Sequence, residues 1–337
     1  MKFSPEKKNS IKMYILEKIA HGTESLSKYV ADELGISTNT VHTYISELIE
    51  EKIIEKSKRG MYELVTSSQE HILKRDRGEL EHDTYPFDAF LEPMISDLSS
   101  NAQHIWNYAL SEMVNNVIDH SEAEELYIRI ERNYLHTSVL LVDNGVGIFK
   151  KIREHFALPN LDEAICELLK GKLTTDTENH SGEGIFFTSK MMDTFFILSD
   201  EKIFAATKYD NDSIRDLQRE VNGTCVFMSL SNFTNKTAAE IFNLYSSDEG
   251  GFAKTLIPLK NIFDKAPISR SQAKRVCNRL DQFSEVTVDF AEIEWMGQGF
   301  AHQLFCVYAR ANPQITITTI NMNPDVESMY KHVTGEK

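Results

Sequence analysis

The chain has 337 residues, of which 41% are hydrophobic and 26% are charged, and its formal net charge is −15. This length is enough for two or three domains, each with a core of its own. No run of about 18 apolar residues occurs, which excludes a membrane span, and the acidic balance excludes a protein that coats nucleic acid over its whole surface. The N-terminus lacks the apolar stretch of a signal peptide, so we expect a cytoplasmic protein without a membrane partner.

The negative charge is unevenly distributed. Residues 1–80 contain 13 Lys and Arg and 13 Asp and Glu, so the excess of 15 negative charges falls in residues 81–337. Any contact with DNA is therefore expected near the N-terminus. The cysteines form no CxxC pair, which favours buried free thiols over a disulfide framework or a zinc site. They are Cys166, Cys225, Cys277 and Cys306.

The first segment, residues 1–66, is predicted to contain three helices and a hairpin. Apolar residues recur at helical spacing up to His21, where the first helix ends, and again over residues 25–34. Ser37 is placed to cap a third helix, whose predicted buried stripe includes Ile49. Residues 53–65 then predict two short strands around a turn at Gly60.

This order resembles the winged helix-turn-helix of bacterial transcription regulators. The outward face of the third helix carries small hydrogen-bonding side chains suited to base edges, and the hairpin tip carries cations suited to phosphates. The residues that we expect to contact DNA are Thr38, Asn39, Thr40, His42, Thr43, Lys58 and Arg59. The alternative is a winged domain that contacts another protein.

Residues 67–100 are interpreted as a polar connector, with a mixed-charge helix over residues 71–81. A helix over residues 103–120 follows it. Glu112, Asn116 and Asp119 lie at i, i+4 and i+7, which aligns them along one side of that helix. An apolar stripe occupies the opposite side, and further apolar residues lie on the polar side. The helix is therefore predicted to be buried on both sides, with its polar line facing a pocket.

The residues after this helix predict a nucleotide-binding site. A strand over residues 138–142 leads into Asp143, whose carboxylate can accept a hydrogen bond from an adenine amino group in a dry pocket. Gly145 and Gly147 allow the backbone to approach a base and sugar closely. Gly182 and Gly184 lie at a predicted helix start, where amide groups and the helix dipole stabilise phosphate.

The ordered motifs E-x-x-x-N-x-x-D, D-x-G-x-G, G-x-G and G-T resemble the Bergerat-fold ATPases, over about residues 101–232. The resemblance implies ATP and Mg²⁺ as cofactors, with Glu112 as general base and Asn116 as the Mg²⁺ ligand. It further implies that Asp119 lines the pocket and that Asp143 reads adenine with Thr224, through a shared water. Gly145, Gly147, Gly182 and Gly184 are the implied hinges around base and phosphates. Residues 149–181, with Lys172, Thr174 and Thr175 near their end, are the implied mobile lid.

Two departures from that family narrow the activity. No helix pair with a phosphoacceptor histidine precedes the motifs, which argues against a sensor histidine kinase. The transducer domain with a catalytic lysine or arginine is not recognisable, so the expected reaction is slow hydrolysis of ATP to ADP and phosphate.

Residues 250–337 are predicted to form a small domain of βαβα order with a parallel sheet. The order is similar to that of the STAS-like domains of bacterial regulators. Ordinary STAS domains place a phosphorylatable serine where this chain has Met296, Gly297, Gln298 and Gly299. Because that stretch has no hydroxyl group, phosphorylation in cis is not expected. The glycine-rich turn either binds a ligand or makes a tight strand–helix turn.

Together these patterns predict an α/β multidomain protein: a winged helix, an α+β Bergerat-fold sandwich and a small STAS-like domain. The leading hypothesis is a regulator that couples its ATP state to DNA binding, with a protein partner at the STAS-like domain and a homodimer as one state that nucleotide controls. The alternatives are an anti-sigma-type serine/threonine kinase that acts on a protein partner, and a nucleotide sensor with negligible catalysis.

Overall fold

The computed structural model describes residues 3–58, 60–173, 182–207, 213–247, 250–263 and 266–335. The helices and strands of the first 132 residues are, in chain order, α1 Pro5–Ala20, α2 Leu26–Leu34, α3 Thr38–Glu50, β1 Ile54–Lys58, β2 Met61–Leu64, β3 Ser67–Lys74, α4 Glu92–Ile95, α5 Ser100–Asn116 and β4 Glu125–Arg132. Those of the middle are β5 His136–Asp143, α6 Ile148–His155, α7 Leu161–Lys170, α8 Gly184–Met191, β6 Thr194–Thr207, β7 Ser213–Ser231 and α9 Ala238–Tyr245. Those of the C-terminal part are β8 Lys254–Pro258, α10 Leu259–Ile262, α11 Arg270–Cys277, β9 Glu285–Asp289, α12 Gln298–His302, α13 Ala309–Ala311, β10 Thr316–Ile320 and α14 Pro324–Thr334.

Three helices and a two-stranded antiparallel hairpin form the N-terminal part, as the apolar spacing predicts. Ser37 caps α3 by accepting a hydrogen bond from the Thr40 amide at 3.2 Å. The buried stripe of α3 includes Tyr44, whereas Ile49 is 40% exposed and does not belong to it.

Of the described strands, five form an antiparallel sheet in the order β3-β4-β5-β7-β6. Along β4 and β5, side chains alternate between buried and partly exposed, so one face of the sheet packs on helices. The buried side chains of α5 contribute to that core.

The edge strand β3 corrects the prediction for residues 67–100. Ser67–Lys74 pairs along its whole length with β4, and a short 3₁₀ turn, Arg75–Arg77, follows it. The predicted helix over residues 71–81 is therefore wrong. The first four residues of β3 are exposed at the sheet edge and are polar, so the sequence lacks the apolar alternation that predicts a strand.

The C-terminal strands form a parallel sheet in the order β10-β9-β8, as the βαβα pattern predicts. Its core continues into that of the five-stranded sheet, because both belong to one cluster of buried residues. The N-terminal helices have a separate cluster, which Leu135 from the β4–β5 turn joins. The described residues include no helix with the length and apolar character needed to cross a bilayer, and the cysteines are free thiols, three of them buried.

Candidate functional site

A cavity of about 270 Å³ lies between α5, the end of β5 and the segment that carries α6 and α7. Of the predicted site residues, those that line it are Glu112, Asn116, Asp143, Gly147, Gly182, Gly184 and Thr224. They come from four separate stretches of sequence, so folding brings together residues that are far apart along the chain.

The α5 wall of the cavity carries Glu112 and Asn116, both partly buried. The Asn116 side-chain nitrogen Nδ2 donates to the Glu112 backbone carbonyl at 2.8 Å. This bond fixes the plane of the Asn116 amide and leaves its oxygen, Oδ1, as the atom that can bind a cation.

The start of α8 lies directly against Glu112. A Cβ atom added at Gly184 would lie 2.1 Å from Glu112 Oε2 and 2.9 Å from its carboxyl carbon. Glycine at this position therefore allows the first amide groups of α8 to approach the glutamate. A helix start of this kind stabilises an anion in front of it.

Asp143 lies at the end of β5 and is 4% exposed. Its Oδ1 accepts hydrogen bonds from the Gly145 amide at 2.8 Å and from the Thr224 amide at 3.2 Å. Burial raises the pKa of the Asp143 carboxyl above its ordinary value, and these hydrogen bonds act in the opposite direction. The carboxylate is thus held by backbone amides of the turn after β5 and of strand β7, and it lines the cavity.

Gly145 does not line the cavity but is needed for its shape. A Cβ atom there would lie 2.1 Å from the backbone oxygen of Ser121, and the Val146 amide donates to that same oxygen at 2.8 Å. Gly147 has a φ of +83°, in the left-handed region that favours glycine. The two glycines therefore let the turn after β5 pack tightly against the end of the α5 segment.

Ser199 and Asp200 support this turn, and the sequence analysis missed both. Ser199 Oγ accepts from the Ile148 amide at 3.1 Å, and Asp200 Oδ2 accepts from the Lys150 amide at 3.1 Å. Both residues are buried, and together they hold the first turn of α6. The sequence predicts two separate strands, over residues 195–198 and 202–207, and the polar break between them was the available signal. In the structure they form one strand, β6, with a register shift at this break.

Asp119 is placed differently from its prediction. It is exposed and is not among the residues that line the cavity, whereas His120 lines it. The physical reason is that α5 passes into a π-helical turn, Val117–Ser121. Hydrogen bonds from i to i+5 accommodate one more residue per turn, so the i+7 position rotates away from the line set by Glu112.

The remaining wall comes from the predicted lid. Lys151, Ile152, Leu168 and Leu173 line the cavity, and so does Glu183, which precedes α8. Lys151 Nζ donates to the His120 backbone oxygen at 2.6 Å. Thr174 and Thr175 lie outside the described residues. In that part of the chain which the structure describes, no group of three or more His, Cys, Asp or Glu is arranged to hold a metal, so a Mg²⁺ ion here would depend on Asn116, water and ligand oxygens.

The predicted DNA-contacting residues lie together on the N-terminal part. Thr38, Asn39, His42, Thr43 and Lys58 are exposed. Two of the hydroxyl groups are already engaged, because Thr43 Oγ1 donates to the Asn39 carbonyl at 3.0 Å and Thr40 Oγ1 lies 2.8 Å from Ser37 Oγ.

Of the predicted residues on α3, Thr38, Asn39 and His42 are therefore the exposed side chains that remain to reach outward, and Arg59 lies outside the described residues.

The Gly297 turn packs against backbone. A Cβ atom at Gly297 would lie 2.4 Å from the Ile268 carbonyl oxygen, and the Gly297 amide donates to the Pro267 carbonyl at 2.8 Å. These contacts favour the tight strand–helix turn over a ligand-binding loop.

Comparison with known families identifies the C-terminal part. Residues 272–327 match the model of a STAS-like domain of unknown function (DUF4325). The chain therefore carries a STAS-like C-terminal domain, in agreement with the βαβα order. A search of curated proteins finds no match to the chain.

Proposed function

We propose that residues 101–232 bind ATP with Mg²⁺ in the manner of the Bergerat-fold ATPases, and that the chain is a nucleotide-controlled regulator. The observation that carries this proposal is the convergence of Glu112, Asn116, Asp143 and three glycines on one cavity. A cavity of about 270 Å³ is close to the lower end of the roughly 300–1,000 Å³ typical of small-molecule sites.

The arrangement fits a nucleotide from base to phosphate. Asp143 is a buried acceptor in the cavity wall, suited to the amino group of a purine. Gly182 and Gly184 bring backbone and a helix start to the same cavity, suited to phosphate oxygens. Asn116 lies one turn from Glu112 and would hold Mg²⁺ through its amide oxygen; Mg²⁺ bound there would neutralise phosphate charge.

Glu112 would act as the general base. Its carboxylate lies against the start of α8, next to where the terminal phosphate would be stabilised, so it can accept the proton of a water that attacks that phosphate. The products are ADP and phosphate. Replacement Glu112→Ala is expected to abolish turnover and to spare nucleotide binding; loss of binding as well would contradict this role.

The proposed output is DNA binding through the N-terminal part. Support comes from the exposed polar face of α3, from the exposed Lys56 and Lys58 on the hairpin, and from the neutral charge balance of residues 1–80 in an otherwise acidic chain. An arrangement that ATP favours by a few kcal/mol is enough to switch occupancy. Equal DNA affinity and oligomeric state with and without ATP and Mg²⁺ would remove this switch.

The nucleotide proposal is tested by calorimetric titration of the full chain with a non-hydrolysable ATP analogue and Mg²⁺. Asp143→Asn exchanges an acceptor for an amide that presents a donor, so we expect binding to weaken by about 10- to 100-fold, the range for a lost hydrogen bond to a charged group. Asp119→Asn is the matched control, because Asp119 is exposed outside the cavity, and it should bind as wild type does. Equal binding by wild type and Asp143→Asn would overturn the assignment of Asp143.

A further inference from the structure

A buried ion pair lies on α7, outside the residues to which the proposed function assigns a role. The side chains of Glu167 and Lys170 are 3% and 2% exposed, and Lys170 Nζ lies 2.8 Å from Glu167 Oε1. Charges this deeply buried require several hydrogen-bond partners. Those partners come from the STAS-like domain.

The last turn of α11 and the residues after it, together the α11 turn (residues 275–279), supply two of the three acceptors of the Lys170 ammonium group. Lys170 Nζ donates to the carbonyl oxygens of Arg275 at 3.1 Å and Asn278 at 2.8 Å, in addition to Glu167. Each of its three protons thus has an acceptor. The Asn278 amide donates to Glu167 Oε1 at 2.9 Å, whereas Glu167 Oε2 has no hydrogen-bond partner among the described residues.

Further contacts surround this pair. Arg275 Nε lies 3.1 Å from Glu163 Oε1, and Arg279 Nε lies 3.6 Å from Glu167 Oε2. Arg279 Nη2 also donates to the Lys172 carbonyl at 3.1 Å. The STAS-like domain therefore holds both the helix α7 and the backbone that follows it.

Lys172 and Gly171 extend the same contact. Lys172 Nζ donates to the Gln282 carbonyl at 2.8 Å and lies 5.5 Å and 5.0 Å from the ring centres of Phe252 and Phe283. A Cβ atom at Gly171 would lie 2.7 Å from the Phe252 ring. The predicted lid lysine is thus directed into the C-terminal domain.

The other side of this short segment forms the cavity wall. Leu168 and Leu173 line the cavity, one residue away from Glu167 and Lys172 respectively. The Leu173 amide donates to the Gly182 carbonyl at 3.1 Å, and Gly182 also lines the cavity. A displacement of the α11 turn would therefore displace the residues that face a bound ligand.

We infer that the STAS-like domain holds one wall of the nucleotide site in place from outside the cavity, with Asn278 and Arg279 as positioning residues that keep α7 against the nucleotide. This inference rests on the proposed function. Coupling between the nucleotide site and the end of α11 is then reciprocal. A change that displaces the end of α11 alters the affinity for nucleotide, and nucleotide binding shifts the position of that segment by the same free energy.

The test uses the full chain and a non-hydrolysable ATP analogue with Mg²⁺, titrated by calorimetry. Arg279→Met removes the ion pair to Glu167 and the bond to the Lys172 carbonyl, and we expect roughly 5- to 20-fold weaker binding, within the usual range of coupling between sites. Arg279→Lys keeps the charge and should recover part of the affinity. The matched control is Arg310→Met, an exposed arginine of the same domain, which should bind as wild type does.

A second readout separates positioning from simple structural support. In the wild type, the nucleotide analogue should slow amide hydrogen exchange in residues 270–283, although none of these residues lines the cavity. In Arg279→Met that protection should be lost. Wild-type binding with unchanged exchange in residues 270–283, together with equal affinity of Arg279→Met, would overturn the inference and leave the nucleotide proposal standing; absence of binding by the wild type would overturn both.

Discussion

The N-terminal helices and the STAS-like domain are attached to the middle of the molecule in different ways. The N-terminal part packs around its own cluster of buried residues, which Leu135 joins from the turn between β4 and β5. The STAS-like domain has its buried residues in the same cluster as the cavity domain. Phe252 illustrates the continuity, because its ring lies 4.7 Å from that of Phe186 on α8 and 5.4 Å from that of Phe283.

This difference suggests two kinds of communication. A domain that shares a close-packed core and a buried ion pair with the cavity wall moves with that wall, because packed interiors transmit small displacements. A domain joined to the sheet by the two residues between β2 and β3 and by the packing of Leu135 can change its orientation while its own core stays intact.

The largest effect on the free energy of unfolding is expected from a replacement at the junction between α7 and the STAS-like domain. Lys170→Met leaves the Glu167 carboxylate buried without its main partner, which should lower the free energy of unfolding by roughly 3–5 kcal/mol. The measurement is chemical unfolding followed by circular dichroism. The double replacement Glu167→Gln with Lys170→Met should recover most of the loss, because no unpaired charge is then fully buried. Arg279 loses its ion pair to Glu167 but is 24% exposed and keeps its bond to the Lys172 carbonyl.

The matched control for Lys170 is Lys260, whose ion pair with Glu292 is exposed at 40% and 51%. Lys260→Met should change the free energy of unfolding by less than about 1 kcal/mol. Equal effects of the two replacements would mean that the buried pair does not hold the two domains together.

The sequence could not reveal this junction for a physical reason. Glu167 and Lys170 are three residues apart on a helix, a spacing that is typical of solvated ion pairs. Their burial depends on the approach of α11 more than 100 residues later, which no local pattern encodes. Strand β8 was missed similarly. Its apolar residues Leu256 and Ile257 are adjacent, so the sequence shows no polar–apolar alternation although burial alternates along the strand, which gains its place from pairing with β9.

Sequence patterns predict correctly the structural features that depend on residues close together in the chain. The cap of α3, the apolar stripe of α5 and the glycine turn after Asp143 each depend on neighbours within a few residues, and the structure has each of them. Asp119 lies off the predicted line because helical spacing assumes an α-helix, and the π-helical turn shifts the last positions. The roles assigned to the cavity residues stay predictions.

The next effect concerns the attachment of the N-terminal part. Leu135→Ala should lower the free energy of unfolding by roughly 2–3 kcal/mol, the lower part of the range for a buried leucine. Because Leu135 belongs to the N-terminal cluster, that part should unfold at lower denaturant concentration than the rest, while affinity for the ATP analogue stays unchanged. Fluorescence and circular dichroism transitions that coincide would contradict a separate unit.

The control is Tyr134→Ala, next in sequence and 37% exposed. Asn232 holds this turn by donating to the carbonyl oxygens of Asn133 and Tyr134 at 2.8 Å and 3.2 Å, so the backbone should keep its place in both variants. A loss of stability in Tyr134→Ala as large as in Leu135→Ala would assign the effect to the turn and not to the apolar anchor.

A smaller effect is expected from pH, inside the cavity domain. Burial raises the pKa of Asp143 above 3.8, so the folded protein binds this proton more tightly than the unfolded chain does. Between 3.8 and the raised pKa, this group's contribution to the free energy of unfolding therefore falls as the pH rises. Unfolding of wild type and Asp143→Asn across that pH range should show a difference of this sign; an opposite slope would mean that the hydrogen bonds from Gly145 and Thr224 outweigh burial.

The smallest effect is expected at the hairpin of the N-terminal part, where Lys58 is exposed. Lys58→Ala should weaken DNA binding about equally for all sequences and reduce the slope of log affinity against log salt by about one, since one phosphate contact is lost. Asn39→Ala is the informative comparison, because loss of a base-edge contact should relax sequence preference and leave that salt slope unchanged.

If neither variant nor wild type binds DNA, and labelled phosphate passes from ATP to a protein partner, the kinase alternative replaces the DNA-binding regulator. The N-terminal part would then be a protein-binding unit attached to the sheet at Leu135.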